Sequence, residues 1–241
     1  SRVNEAEYIL NKMTQTQSSL LEYLDEQKVA LIQGGAGTGK TMIAVEKAKR
    51  LSDTGKVLFL CFNKFLLVTL RKTCAVFYPN IDFYNLPALA CRKTGLIDIG
   101  GNEGISRFLA AIDIVEWEYS HIVIDEGQDF LEEHLICLKD ITEEKNGSFY
   151  VFYDKNQLVQ QRQTVDWLKS VQCRLILSAN CRNTKEIAIT SNKTIGIDQV
   201  KMRLALGFFG DKPKLYITKS KESTIKCLAQ IIRHYIDGGL A

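Results

Sequence analysis

The stretch Gln33-Gly-Gly-Ala-Gly-Thr-Gly-Lys-Thr41, QGGAGTGKT, lies between the apolar run VALI and the amphipathic segment MIAVEKAKRL. Glycines let backbone N–H groups turn inward without Cβ clashes, and a following helix directs its free N–H groups and dipole to the same point. The spacing fits the phosphate-binding pattern G-x-x-x-x-G-K-[ST]. It predicts a nucleotide site in which Lys40 faces the β- and γ-phosphates and Thr41 binds Mg²⁺. A glycine-rich turn before an ordinary helix is the alternative.

Short apolar, β-branched runs alternate along the chain with longer amphipathic stretches. Near-continuous apolar strands separated by helices are typical of a parallel sheet covered on both faces. We therefore expect an α/β fold with a central, mostly parallel sheet flanked by helices. The predicted strands are 29–33, 56–61, 81–84, 121–125, 148–153 and 174–178, and the predicted helices are 40–52, 65–75, 86–93, 105–115, 131–141 and 165–171.

The pattern loosens after Arg182, which suggests a domain boundary. We expect residues 1–182 to form the nucleotide-binding domain, with a small insertion at about 94–118 that opens on the turn-rich TGLIDIGGNEG. Further on, KLYITKS predicts a strand and KESTIKCLAQIIRHYI an amphipathic helix, so residues 183–241 are expected to begin a second, incomplete α/β domain. The chain lacks an initiator Met, from which we expect a fragment of a longer protein.

Composition excludes some classes of protein. The 241 residues carry a net charge of +3, which by itself does not indicate nucleic-acid binding. None of the seven cysteines lies in a C-x-x-C pair, and several stand inside apolar runs, as expected of reduced thiols in a cytoplasmic protein. No apolar run approaches the roughly 20 residues of a membrane span. The three histidines show no ligand spacing, so we expect no zinc site.

A pair of carboxylates follows another apolar strand in HIVIDEGQDF. A phosphate-binding loop needs a second Mg²⁺ ligand at the carboxyl edge of its sheet, and Asp125 is the candidate. Glu126 is then placed to polarise the attacking water. The alternative is an acidic cluster that favours the N-terminal dipole of the next helix; its members would be Asp125, Glu126, Asp129, Glu132 and Glu133.

Several motifs occur in a fixed order, and together they resemble superfamily 1 helicases of the UvrD/Rep-like group, especially the branch associated with nuclease-related domains. The resemblance runs from about residue 13 to 187. Its motifs are MTQTQSSLL (Q-motif), GGAGTGKT (Walker A), LCFNKFLLVTL (motif Ia), DFYNLPALA (the T-F-H-S-L motif), IDEGQD (D-E-x-Q-D), FYDKNQ (G-D-x-x-Q) and LSANCRNTKEIA (L-x-x-N-Y-R-S).

The resemblance implies a RecA-like domain that binds and hydrolyses ATP with Mg²⁺, with a second RecA-like domain as partner. Gln17 would read the adenine edge, Gln157 would sense the γ-phosphate, and Arg182 would stabilise the transition state beside Lys40 and Glu126. The implied phosphate-binding residues are Gly35, Ala36, Gly37, Thr38, Gly39, Lys40 and Thr41.

The same resemblance implies that the domain tracks single-stranded DNA. The implied contacts are Phe62, Asn63, Lys64, Tyr84 and Asn85. The alternative is that the aromatic residues Phe62, Phe65 and Tyr84 belong to the core, and that Lys64, Arg71 and Lys72 form a solvated helix face.

The sequence departs from the family at four positions. Tyr153 replaces the glycine of G-D-x-x-Q, Cys181 replaces an adenine-stacking tyrosine, Gln160 replaces a base-stacking aromatic, and Asn85 replaces a histidine. The loss of a base-stacking platform weakens binding to DNA, because stacking contributes ~1–3 kcal/mol per base. ATP hydrolysis is therefore better supported than strand separation. The alternatives are an ATP-dependent switch or sensor in DNA repair or phage defence, a non-catalytic nucleotide-binding module, and an RNA-acting helicase.

Overall fold

The computed structural model describes residues 15–35, 37–154, 171–177, 179–180, 203–204 and 213–237. Three predicted site residues, Ala36, Gln157 and Arg182, lie outside these ranges, as do Gln160, Cys181 and nearly all of the predicted helix at 165–171. The helices are α1 (Gln15–Asp25), α2 (Lys40–Leu51), α3 (Lys64–Thr73), α4 (Leu86–Thr94), α5 (Gly101–Ala110), α6 (Glu132–Glu144) and α7 (Lys221–Asp237). The strands are β1 (Val29–Gly34), β2 (Val57–Cys61), β3 (Ile81–Tyr84), β4 (His121–Asp125), β5 (Phe149–Tyr153), β6 (Cys173–Leu177), β7 (Ala179–Asn180) and β8 (Arg203–Leu204).

The first six strands form one sheet in the order β3-β2-β4-β5-β1-β6, and every pairing in it is parallel. Each of these strands lies within one residue of its predicted bounds at both ends. This confirms the predicted fold class, a parallel sheet flanked by helices. Because all six strands run the same way, their carboxyl ends meet at one edge, where ligands bind in open α/β sheets.

The two faces of the sheet bury separate hydrophobic clusters, because successive strand residues point to opposite faces. On β2, for example, Leu58 and Leu60 join one cluster, whereas Val57, Phe59 and Cys61 join the other. Residues of α4, α5 and α6 complete the first cluster, and residues of α1, α2 and α3 complete the second. Both faces are therefore covered, which explains why the strands read as continuous apolar runs.

Two predicted elements differ most from the structure. The helix predicted at 105–115 is α5, which begins at Gly101 and ends at Ala110; Ile112 and Ile114 pack on the core without being helical. The strand predicted at 214–220 is wrong, since residues 213–218 have no strand conformation. Helix α7 follows as predicted, in a compact unit separate from the sheet. The second domain stays a prediction.

None of the described helices is both long enough and apolar enough to cross a membrane. The six cysteines in the described part of the chain are free thiols, and three of them, Cys61, Cys74 and Cys173, are buried.

The turn from α6 into β5 is fixed by a Schellman motif. Asn146 is left-handed, with φ 56°, and its N–H donates to the carbonyl of Glu143 at 2.8 Å. The N–H of Gly147 donates to the carbonyl of Thr142 at 2.9 Å. A Cβ on Gly147 would lie 1.6 Å from the carbonyl oxygen of Ser120. Only glycine fits where the chain passes this close to the entry of β4.

We expect Gly147→Ala to lower the free energy of unfolding by about 2–4 kcal/mol, because the added methyl group must displace the backbone at Ser120. Urea denaturation followed by tryptophan fluorescence measures this loss. Gly35→Ala is the matched control, since a Cβ there meets nothing within 4 Å. Equal losses in the two variants would contradict the steric explanation.

Candidate functional site

Three neighbouring strands bring polar groups to one edge of the sheet. Strand β5 pairs with β1 on one side and with β4 on the other. The carboxyl ends of these strands carry Gly34, Asp154 and Asp125. The glycine-rich turn and the predicted carboxylate, which are far apart in sequence, therefore meet at the same place.

The glycine-rich turn depends on left-handed backbone at two positions. Gly37 has φ 80° and Gly39 has φ 85°, values that side chains disfavour. The hydroxyl of Thr38 donates to the carbonyl of Gly35 at 2.9 Å and closes the turn. Gly39 caps α2, so the amino end of that helix points into the turn. This is the arrangement that cradles an anion.

Lys40 lies inside the turn rather than on the surface. It is only 7% exposed, and its Nζ donates to the carbonyls of Gly34 at 2.8 Å and Gly35 at 3.2 Å. The carboxylate of Asp154 lies 4.0 Å from the same nitrogen. A buried cation is therefore held between the two sides of the candidate phosphate site.

Thr41 and Asp125 form the candidate metal site. The hydroxyl of Thr41 donates to Oδ2 of Asp125 at 2.7 Å, while Oδ1 is buried and has no hydrogen-bond partner among the described residues. Burial raises the pKa of Asp125 to about 6, and the charge of Glu126 raises it further against the Thr41 hydrogen bond. A buried carboxylate oxygen without a donor, beside a hydroxyl, fits a hard cation such as Mg²⁺.

Glu126 stands beside this pair in a strained conformation. Its φ of 56° and ψ of 47° are left-handed, which costs a non-glycine residue roughly 1 kcal/mol or more.

The capping alternative applies to only part of the acidic cluster. Glu132 and Glu133 occupy the first turn of α6, whereas Asp125 is fully buried at the end of β4.

Gln17 of α1 reaches the glycine-rich turn. Its Nε2 donates to the carbonyl of Thr38 at 3.3 Å, and the side chain is 2% exposed. A Cβ on Gly39 would lie 2.3 Å from that nitrogen, so Gln17 packs directly on the cap of α2. The candidate adenine-binding side chain and the candidate phosphate turn are thus in contact.

The other end of α1 is held by a buried lysine of α2. Lys47 donates to the carbonyl of Leu24 at 3.1 Å and to the carboxylate of Asp25 at 2.6 Å. Burial lowers the pKa of Lys47, and the bond to Asp25 opposes that shift. Arg50 donates to the second oxygen of Asp25 at 2.6 Å. These contacts fix α1 along α2 and so fix where Gln17 points.

Four of the five predicted nucleic-acid contacts line one groove of about 730 Å³, and they are Phe62, Asn63, Lys64 and Asn85. Phe62 is 60% exposed and Phe65 is 89% exposed, so the alternative that places them in the core is wrong for both. Tyr84 does not line the groove. It is half-buried, with the guanidinium groups of Arg71 and Arg92 at 5.3 Å and 5.8 Å from its ring.

The groove also includes residues beyond the five predicted contacts, among them Phe65, Pro87 and Ile97. Phe65 had a sequence signal. The buried positions of α3 are Leu67 and Leu70, and a residue two positions before Leu67 falls on the far side of the helix. Pro87 and Ile97 had no such signal, because they join the groove only through the packing of α4 and the turn that follows it.

Two of the four departures from the helicase pattern, Asn85 and Tyr153, lie in the described part of the chain, and Asn85 caps α4, where its side chain accepts from the backbone N–H of Ala88 at 2.8 Å. Tyr153, which replaces a glycine, is buried at the end of β5, and its hydroxyl lies 3.5 Å from Oε1 of Gln33 on β1. The next residue, Asp154, still reaches Lys40. The larger side chain is therefore accommodated in the core.

Comparisons with known proteins identify a family and a similar fold. The model of a family described as AAA domain matches residues 17–163. The crystal structure of Pif1 helicase from Candida albicans is similar, with a TM-score of 0.50 at 17% sequence identity. The match covers 75% of this chain and 44% of that chain, so this chain spans less than half of the Pif1 structure. The search of curated proteins gave no match.

We expect Asp125→Asn to stabilise the metal-free protein more at pH 8 than at pH 5. Burial raises the folded-state pKa of Asp125 from 3.8 to about 6, so its contribution to stability is present below pH 3.8 and is lost as the pH rises through 6. The gain should grow by about 1–2 kcal/mol between pH 5 and pH 8. Urea denaturation in EDTA measures it.

The control for this variant is Asp53→Asn, because Asp53 is an exposed carboxylate beyond the end of α2. We expect its effect on stability to be nearly the same at both pH values. If the two variants respond alike, the burial of Asp125 is not the cause of the pH dependence.

Proposed function

The chain belongs to the AAA domain family, and we propose that it is the ATP-hydrolysing part of a helicase-like translocase that tracks single-stranded DNA. The observation that carries the proposal is the contact between Thr41 and Asp125 beside the glycine-rich turn. It brings a hydroxyl and a buried carboxylate oxygen together where a nucleotide-bound Mg²⁺ would need two protein ligands.

In the proposed reaction, each group at the sheet edge has one task. The N–H groups of the glycine-rich turn and Lys40 would bind the phosphates, and Gln17 would select the base. Thr41 and Asp125 would hold Mg²⁺, which when bound neutralises charge on the phosphate oxygens. Glu126 would orient the attacking water. Catalysis of this kind depends on positioning and charge rather than on covalent chemistry, which suits a buried, crowded site.

The groove supports a nucleic-acid strand as the second ligand. Two helices begin at its wall, with Asn63 capping α3 and Asn85 capping α4. Their amino ends and Lys64 favour phosphate, while the exposed rings of Phe62 and Phe65 offer surfaces on which bases stack. Alternating charge and aromatic surface is what binding to a single strand requires.

Sheet register gives a route by which the two ligands could influence each other. Cys61, the last residue of β2, pairs with Asp125, the last residue of β4. Phe62 follows Cys61 directly, so it lies one position beyond the strand neighbour of Asp125, the candidate metal ligand. A shift at the nucleotide edge would be transmitted to the groove through adjacent, hydrogen-bonded strands.

We place the chain in the UvrD/Rep-like group of superfamily 1, in a cytoplasmic protein. A second RecA-like domain, and in this branch a nuclease-related domain, would complete it. Gln157 and Arg182 would then act as γ-phosphate sensor and transition-state arginine. The motif order in the sequence supports these roles, and both residues lie outside the described part of the chain.

We expect single-stranded DNA to stimulate steady-state ATP hydrolysis by the full-length protein. Lys40→Ala should lower the stimulated rate by about 100-fold or more, because the buried cation that faces the phosphates is lost. Lys49→Ala is the matched control, since Lys49 lies on the same helix with its Nζ 3.6 Å from a carboxylate oxygen of Glu46 and 5.2 Å from the centre of the Tyr78 ring. A rate of ATP hydrolysis that DNA does not change would contradict the translocase and favour an ATP-dependent switch. Stimulation by RNA but not by DNA would identify RNA as the substrate.

We expect Phe65→Ala to weaken binding of single-stranded DNA by roughly 5-fold to 100-fold, because one stacked base contributes ~1–3 kcal/mol. Fluorescence anisotropy of a labelled oligonucleotide measures the affinity. Phe77→Ala is the control, since Phe77 is also highly exposed and lies outside the groove. Equal effects of the two substitutions would rule out the groove as the binding surface.

A further inference from the structure

Gln128 connects the two sides of the candidate site through a single buried side chain. It lies in the short 3-10 turn Gly127–Asp129 and is 1% exposed. Its Nε2 donates to Oε2 of Glu126 at 2.6 Å, and its Oε1 accepts from the backbone N–H of Asp154 at 3.0 Å. The amide orientation is unambiguous, because a carboxylate only accepts and a backbone N–H only donates.

The loop that carries Glu126 leaves this residue little freedom. Glu126 has the left-handed backbone described above, and a Cβ on the next residue, Gly127, would lie 2.3 Å from Cγ1 of Val151. The loop is therefore pressed against β5. The hydrogen bond from Gln128 then determines where the Glu126 carboxylate lies relative to that loop.

The other end of the Gln128 amide leads to the glycine-rich turn. Asp154 is 4% exposed, and its carboxylate lies 4.0 Å from Nζ of Lys40. Contacts therefore run without a break from Glu126 through Gln128 and Asp154 to Lys40. This series of contacts crosses from the end of β4 to the ends of β5 and β1, which lie on the two sides of the candidate phosphate position.

We infer that Gln128 is a positioning residue for ATP hydrolysis: it holds the carboxylate of Glu126 and ties that carboxylate to the residue paired with Lys40. The inference rests on the proposed function. A neutral amide suits the task, since it donates to the carboxylate and accepts from the backbone at once. Neither a carboxylate nor an apolar side chain of similar length makes both bonds.

The test compares Gln128→Glu and Gln128→Met with Gln172→Glu in the full-length protein. The first variant keeps the acceptor for Asp154 but sets a second carboxylate against Glu126, and the second variant removes both bonds. Gln172 is exposed, so its variant controls for the change of charge. We expect kcat to fall by about 10-fold to 100-fold in both Gln128 variants, with the KM for ATP changed less than about threefold.

The outcomes separate this inference from the proposed function. If the wild-type protein hydrolyses ATP and Gln128→Glu has the same kcat and KM, the inference about Gln128 is overturned and the proposed function stands. An inactive wild type would overturn the proposed function; in that case the crystal structure of Gln128→Glu still decides the inference, which requires the Glu126 carboxylate to be displaced. A fall in thermal stability with kcat and KM changed in equal proportion would show a structural role only.

Discussion

The hydrogen bond from Thr41 to Asp125 joins residues 84 positions apart, and much of the fold serves to make it. Asp125 must end β4, Thr41 must follow the cap of α2, and β5 must lie between β4 and β1. The carboxylate is fully buried, and burial raises its pKa toward neutrality, so the pair is unfavourable as a structural element alone. A cation bound by Thr41 and Asp125 would offset the charge of the buried carboxylate and so account for this arrangement.

The sheet that positions this pair also carries the groove. Because β2 and β4 are hydrogen-bonded neighbours in register, Asp125 at the end of β4 and the exposed aromatic residues after β2 adjoin the same edge of one sheet. The helices on each face have different tasks. Helices α1 and α2 support the glycine-rich turn, while α3 and α4 present their amino ends to the groove. Under the proposed function, one domain would therefore offer both binding surfaces.

The sequence predicted the sheet well because strands buried on both faces are continuous apolar runs, as in LFLC and HIVI. It predicted α5 poorly, since Ile112 and Ile114 extend the apolar pattern beyond the last helical turn and pack on the core as irregular chain. Glycine spacing predicted the turn around Lys40. The contacts of Gln128 could not be predicted, because they depend on β5 lying beside β4. The position of Ile97 in the groove and the contacts of Tyr84 with two arginines could not be predicted either, because no local sequence pattern indicates them.

Glu126 has a consequence for how such a protein could change over generations. Its left-handed backbone would be relaxed by glycine, and partly by asparagine, although either change gives up the hydrogen bond from Gln128. The two effects on stability oppose each other, whereas most substitutions in a folded domain only destabilise it. Under the proposed function, a lineage released from the need to hydrolyse ATP could therefore replace Glu126 at little net cost in stability.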